Sequence, residues 1–144
     1  MRRRDTRPGA AIASIISVDV GTSFIKSAVA VYDPEAGGVR VVEAVNAPQV
    51  PVSEGPVHEH PPLYVVNEVK RLVRHLVRNH GAPDAIVVST YLFSTVLVDR
   101  EGNPLSNIIT WLDRRAEEAL PEVRRNSRAI YERTGCPPLP IYTL

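Results

Sequence analysis

A chain of 144 residues, 44% hydrophobic and 23% charged, has the size and composition of one soluble globular domain with a real core. Its 17 basic and 16 acidic side chains leave a net charge of +1, which excludes a whole-molecule field that would steer it to nucleic acid or a membrane. A single cysteine, Cys136, excludes an internal disulfide and points to a reducing, cytoplasmic compartment.

Taken in chain order, the basic start MRRRDTRPG marks residues 1–13 as a disordered, solvated tail. No aromatic side chains interleave with its arginines, as they would in a nucleic-acid arm. The apolar run at 10–20 is too short to span a bilayer and is broken by serines and Asp19. It alternates like a strand and lacks a small-residue cleavage site, so it does not read as a signal peptide. Residues 15–20 are expected to form a buried strand stopped by Gly21, 24–32 a second and 39–45 a third, with DPEAGG as a turn. Short connections between them suggest an antiparallel meander. The proline-rich stretch 47–62 has no periodicity and reads as a loop.

LYVVNEVKRLVRHLVRNHG then places Val65, Val66, Val69, Leu72, Val73, Leu76 and Val77 at helical spacing, with charged residues opposite. Asn79 and Gly81 supply a stop, and His75 and His80 fall on or beside the solvated face. DAIVVSTYLFSTVLVD is the longest β-like stretch, and its first part is apolar on both faces, as a central strand would be. After the turn DREGNP, residues 105–110 would return antiparallel. From Trp111 the pattern is helical, broken by Pro121, and ends in the extended CPPLPIYTL. The order is β-β-β-α-β plus a hairpin and small helices: an α/β domain with a mixed sheet. Three strands precede the first long helix, which argues against a doubly wound dinucleotide fold.

The stretch SVDVGTSFIKSAVAVYD carries an Asp, a Gly and two hydroxyls at its one sharp bend. Gly21 allows a tight turn and close approach of an anion, and the amides after it can form an anion-binding concavity. Thr22 and Ser23 add hydroxyl donors. Asp19 would repel phosphate directly, but fits if Mg²⁺ lies between them, often through water. Lys26 offers a compact positive charge. The alternative from these residues alone is a hairpin whose Asp and Thr satisfy their own turn. G-x-x-x-x-G-K is absent, so this is not a Walker loop.

The ordered set D-x-G-T-S, x-D-x-x-G-x-P-L, W-x-D-x-R and Y-x-R-T-G, carried by SVDVGTS, VDREGNPL, WLDRR and YERTG, resembles the amino-terminal part of the FGGY carbohydrate kinases, especially the xylulose and gluconate kinase branches. The likeness covers residues 14–144. It implies the actin-like ATPase fold with its ribonuclease-H-like core, and transfer of the γ-phosphoryl group of ATP to a sugar or polyol hydroxyl. By position, it implies that Asp19 holds Mg²⁺ through water and that Gly21, Thr22 and Ser23, with Lys26 nearby, face the ATP phosphates. It places Trp111, Asp113 and Arg115 near the sugar cleft, with Trp111 stacking on a sugar face and Asp113 accepting from hydroxyls. Otherwise Asp113 caps a helix, Arg115 pairs with Glu118 or Glu122, and Trp111 is core. His58, Glu59 and His60 lack a further convergent ligand for a metal, and the resemblance implies an acidic residue here, before the long helix, in a helix-entry role. Cys136 has no paired base and reads as a small packing residue.

At Leu92 and Phe93, related kinases place polar side chains that bind the sugar. Leucine and phenylalanine cannot hydrogen-bond hydroxyls, so binding there would suit a ligand less polar than a free sugar. The resemblance also implies that the general-base aspartate, the second phosphate loop and the adenosine-binding half lie beyond Leu144. The chain is thus expected to be an amino-terminal fragment or subunit, inactive alone and completed by a carboxy-terminal kinase half that docks near CPPLPIYTL. Two other readings are a non-catalytic binding module that recruits a partner, and a ribonuclease-H-like nuclease in which Asp84, Asp99 or Glu101 converges on Asp19.

Overall fold

A computed structural model describes residues 13–33 and 37–139. The basic tail proposed for residues 1–13, most of the DPEAGG turn and the final residues 140–144 lie outside the described residues, except that Ala13 opens the first strand. Strands β1 (Ala13–Val20), β2 (Phe24–Asp33) and β3 (Gly38–Pro48) form the meander. Helix α1 (Pro62–His80) follows, and then β6 (Ala85–Thr90). The stretch 47–62 is not a plain loop. It contains a hairpin of β4 (Val52–Glu54) and β5 (Val57–His60), which builds a second small sheet with β7 (Ile108–Ile109). A two-residue turn at Gly55, with φ of 55°, lets strands this short pair, and such strands leave no periodicity to read.

The main sheet has the order β3-β2-β1-β6, with β6 parallel to β1 and the other neighbours antiparallel. Registered pairs share a face. One face therefore carries Ile16, Val18 and Val20 of β1 beside Val29, Ser27 and Ile25 of β2, and α1 lies across it. Val65, Leu72 and Leu76 of the helix are buried there with Ile16, Val18, Ile25 and Val29. Each such side chain contributes about 1.5–3 kcal/mol. The helix starts at Pro62, whose missing N–H is no loss in a first turn. It ends at Gly81, with φ of 82°, whose amide caps Val77.

His75 and His80 are not simply solvated. His75 Nε2 lies 2.8 Å from Glu43 Oε1 and His80 Nε2 2.5 Å from Oε2, which ties the end of α1 to β3. These bonds, with one from Asn79, hold the Glu43 carboxyl at about 2.

The β-like stretch 84–99 stops as a strand at Thr90; beyond it only single bridges join Thr95 to Ile109 and Val98 to Pro104. The central strand expected here is, among the described residues, an edge. All six residues of β6 are exposed, Ile86 at 52%, Val87 at 56% and Val88 at 64%. The helical end is a 3-10 segment (Arg115–Ala119), α2 (Leu120–Arg125) and α3 (Ser127–Thr134), closed by Gly135. Pro121 does not break a helix but lies in the first turn of α2, where proline is tolerated. Among the described residues no helix is long and apolar enough to cross a membrane.

Candidate functional site

The face of the sheet opposite α1 is polar at one end. Register aligns Ser89 of β6, Asp19 of β1, Lys26 of β2 and Asn46 of β3 in one row across four strands. Asp19 and Lys26 line a groove of about 320 Å³ with Ser17, Ala28, Ala44 and Asn46. The Asp19 carboxylate is 52% exposed and Lys26 Nζ stands 3.7 Å from its Oδ2. It is an open carboxylate with one loose cationic neighbour, a donor that suits water-mediated Mg²⁺ better than an all-protein cage.

The bend Gly21–Ser23 joins β1 to β2 just beyond Asp19 and Lys26 of this row. Gly21 has an ordinary φ, so left-handed freedom is not why it is there. A Cβ on it would lie 3.0 Å from the Phe24 carbonyl oxygen, to which its own amide donates at 2.9 Å, and about 4.0 Å from Asp19 Oδ2. Close packing of the ribbon on itself is what demands glycine. The bend is held from several sides: Tyr91 N–H donates to Val20 O, Gln49 N–H to Ser23 O and Gln49 Nε2 to Gly21 O.

Trp111 is 39% exposed and so is not a core residue. Its indole Nε1 donates to Thr22 Oγ1 at 3.1 Å, so one hydrogen bond joins the W-x-D-x-R segment to the bend. Asp113 and Arg115 face inward to each other. Asp113 is buried and accepts from Arg115 Nε and Nη2 and from the backbone amides of His58 and Arg115. Burial pushes its carboxyl up, but the hydrogen bonds from Arg115 and the amides outweigh this and hold it below the ordinary value. Arg115 also donates to Glu59, and the two carboxylates raise its pKa, Asp113 most. Arg115 therefore pairs with Asp113 and Glu59, not with Glu118 or Glu122. Glu59 lies in β5, just before α1; Asn107 and Arg115 lower its pKa in that order. The cluster pins the small sheet to the tryptophan segment, so Trp111 is placed by a fixed scaffold.

His60 is fully buried and its Nδ1 meets the Tyr91 hydroxyl at 3.2 Å, while Nε2 has no hydrogen-bond partner among the described residues. Leu92 and Phe93 follow Tyr91 at the same end of the sheet as the bend, both exposed, and Phe93 has φ of 59°, a strained value for an aromatic residue. Among the described residues the acidic convergence a nuclease needs does not occur. Asp84 accepts from the Ser14 amide, five residues down β1 from Asp19 and thus about 17 Å away. Asp99 is spent on its own turn through Glu101 and Asn103. Among the described residues no group of three or more His, Cys, Asp and Glu could hold a metal ion.

Sequence reasoning named the bend and the tryptophan segment but missed Gln49 and the role of Glu59. Gln49 left only one signal, its being the sole glutamine, and neither partner of Glu59 is near it in sequence.

Comparison with known proteins fits this geometry. The gluconokinase of Bacillus licheniformis is 26% identical over 136 residues, covering 90% of this chain and 25% of that protein. The crystal structure of gluconate kinase from Lactobacillus acidophilus superposes with a TM-score of 0.80 at 24% identity, covering 91% of this chain and 26% of that one. Plasmodium falciparum glycerol kinase, solved with ADP, gives 0.72 at 25% identity, covering 92% and 27%. The fold is thus that of the actin-like ATPase sugar kinases. Residues 14–144 match the FGGY family of carbohydrate kinases, N-terminal domain, and the chain belongs to that family. It spans about a quarter of the length of the relatives it matches.

Proposed function

We propose that this chain is the amino-terminal part of an ATP-dependent carbohydrate kinase of the cytoplasm, inactive until a carboxy-terminal kinase part, in the same or a separate chain, completes the cleft. The observation that carries this reading is the single hydrogen bond between Trp111 and Thr22, which brings a candidate sugar-side residue to the candidate phosphate bend. The sugar or polyol hydroxyl would attack the γ-phosphorus of ATP as the bond to the bridging oxygen breaks. ADP leaves, and the hydroxyl proton passes to a base outside these 144 residues. Mg²⁺, when bound, neutralises phosphate charge.

Asp19 would hold that ion through water, while the amides and hydroxyls of Thr22 and Ser23 donate to phosphate oxygens. Lys26, whose partner Asp19 is loose at 3.7 Å, adds positive charge. The exposed face of Trp111 would stack on the sugar's C–H face. Asp113 and Arg115 serve this site by holding Trp111 in place, since their charges are spent on each other and on Glu59. Leu92 and Phe93 offer apolar contact only, which favours a substrate with an apolar face at that point.

The carboxy-terminal part would meet this chain at β6. A parallel strand apolar on both faces belongs inside a sheet. Beside it, Val20, Val65, Val66, Val69, Val88 and Ile108 line an apolar groove of about 480 Å³ between α1 and β6. A strand paired to β6 and a helix in this groove would cover both. The test mixes the chain with a separately expressed carboxy-terminal FGGY kinase polypeptide and follows sugar-dependent ATP consumption. Turnover that needs both components supports the reading. Tight association without turnover favours the non-catalytic binding module.

A further inference from the structure

Gln49 follows the last residue of β3 and is only 8% exposed. It reaches the bend twice, through its backbone N–H to Ser23 O at 2.9 Å and its side-chain Nε2 to Gly21 O at 3.0 Å. Its own Oε1 is buried and has no partner among the described residues. Packing alone does not explain such a residue, because leucine would fill the space without an orphaned oxygen.

In a trans peptide the C=O and the following N–H point in opposite directions. Holding the Gly21 carbonyl toward Gln49 therefore turns the Thr22 amide away from it, and holding Ser23 O does the same for the amide of Phe24. On the other flank Trp111 Nε1 donates to Thr22 Oγ1. A hydroxyl has one proton and two lone pairs. Once Trp111 occupies a lone pair, the direction left for the Thr22 proton is restricted.

We propose that Gln49 and Trp111 are positioning residues for the bend. Gln49 sets the direction of its peptide planes and Trp111 sets the rotation of the Thr22 hydroxyl, so that N–H and O–H donors stand ready for an anionic polyphosphate before it arrives. This rests on the phosphate reading of the bend given above. Preset donors need no reorganisation when charge arrives, which is where such sites gain their strength.

The test uses the whole chain in three forms: unaltered, Gln49→Met and Trp111→Phe. Methionine keeps length and bulk but loses the amide donor; phenylalanine keeps an aromatic ring but loses the N–H. Hydrogen exchange of the Gly21, Gln49 and Tyr91 amides, whose bonds hold the bend, is measured without ligand. Binding of Mg·ATP and of Mg·tripolyphosphate is then followed at millimolar concentration by the NMR shifts of the Thr22 and Ser23 amides. For the unaltered chain, emission of Trp111, its only tryptophan, is a second readout.

Each substitution is expected to speed exchange at the bend and weaken both ligands about two- to tenfold. The unaltered chain is expected to change its emission on binding. A residue with only a structural role would lower the melting temperature and leave the affinity of the folded protein as it was. Unchanged exchange at the bend in both variants overturns the clamp itself. Faster exchange with unchanged affinity overturns its service to the ligand. If the unaltered chain binds neither ligand while exchange still rises in the variants, the clamp stands and the phosphate reading falls.

Discussion

Replacing Asp19 with alanine separates structure from chemistry at the bend. The carboxylate lies 52% exposed over the groove, and its ionic partner among the described residues, Lys26, is 62% exposed at 3.7 Å. Two unit charges at that distance attract by about 1 kcal/mol in a water-like dielectric, and exposed pairs yield about 0–1 kcal/mol net. For a domain of this size the melting temperature should therefore move by no more than about 4 °C. Turnover should behave differently. In a kinase reconstituted with a carboxy-terminal part, loss of the carboxylate proposed to hold Mg²⁺ should lower kcat by about 10²–10³-fold, the scale for removing one preset electrostatic contact. The assay pairs a thermal melt of the variant with sugar-dependent ATP consumption across a Mg²⁺ titration. Full turnover with an unaltered Mg²⁺ dependence would refute the metal role. A melting temperature lowered far beyond the stated limit would refute the claim that Asp19 is structurally idle.

The other predictions concern packing, docking and pH. Gly21→Ala brings a Cβ to 3.0 Å from the Phe24 carbonyl oxygen, a backbone atom that cannot move alone, and should cost about 1–3 kcal/mol by denaturant titration. Val88→Lys, at a site 64% exposed, should change the stability of the chain by less than about 0.5 kcal/mol yet weaken association with a carboxy-terminal kinase polypeptide at least about tenfold, because a charge would be buried there. The Glu43 carboxyl is held at about 2, against 4.5 for the free group, by His75, His80 and Asn79. Its contribution is complete above about pH 4.5 and is lost as pH falls toward 2, so Glu43→Gln should flatten the stability profile across that window. Burial, and then neighbouring His58, hold the His60 imidazole below its ordinary 6.5, so the unfolded chain takes up a proton that the folded one resists. Stability should decline as pH falls below about 6.5, and His60→Gln should remove that part of the slope in melts at stepped pH.

The sequence discloses those parts of the fold that local periodicity encodes. The three meander strands and α1 carry their patterns within a few residues each, and all four stand close to where alternation and helical spacing put them. β4 and β5 are too short for a pattern, and Gly55 was their only trace. Beyond Thr90 the β-rich composition of YLFSTVLVD yields single bridges, from Thr95 to Ile109 and from Val98 to Pro104, and no extended ladder. The site divides in the same way. Asp19, Gly21 and Thr22 are contiguous, so the bend could be read. The row Ser89–Asp19–Lys26–Asn46 exists only through register across four strands. The bonds from Gln49 to Gly21 and from Arg115 to Glu59 join residues 28 and 56 positions apart, which no local pattern reports.

The bare flank of β6 has a practical side for anyone preparing this polypeptide. Its outer amides and carbonyls, unpaired among the described residues, run beside Ala, Ile, Val, Val, Ser and Thr, with no lysine, glutamate or proline among them to discourage strand-to-strand sticking. Produced alone, the chain carries an adhesive margin that concentrated solutions will find, and yield in the soluble fraction should rise when the proposed carboxy-terminal part is made in the same cell.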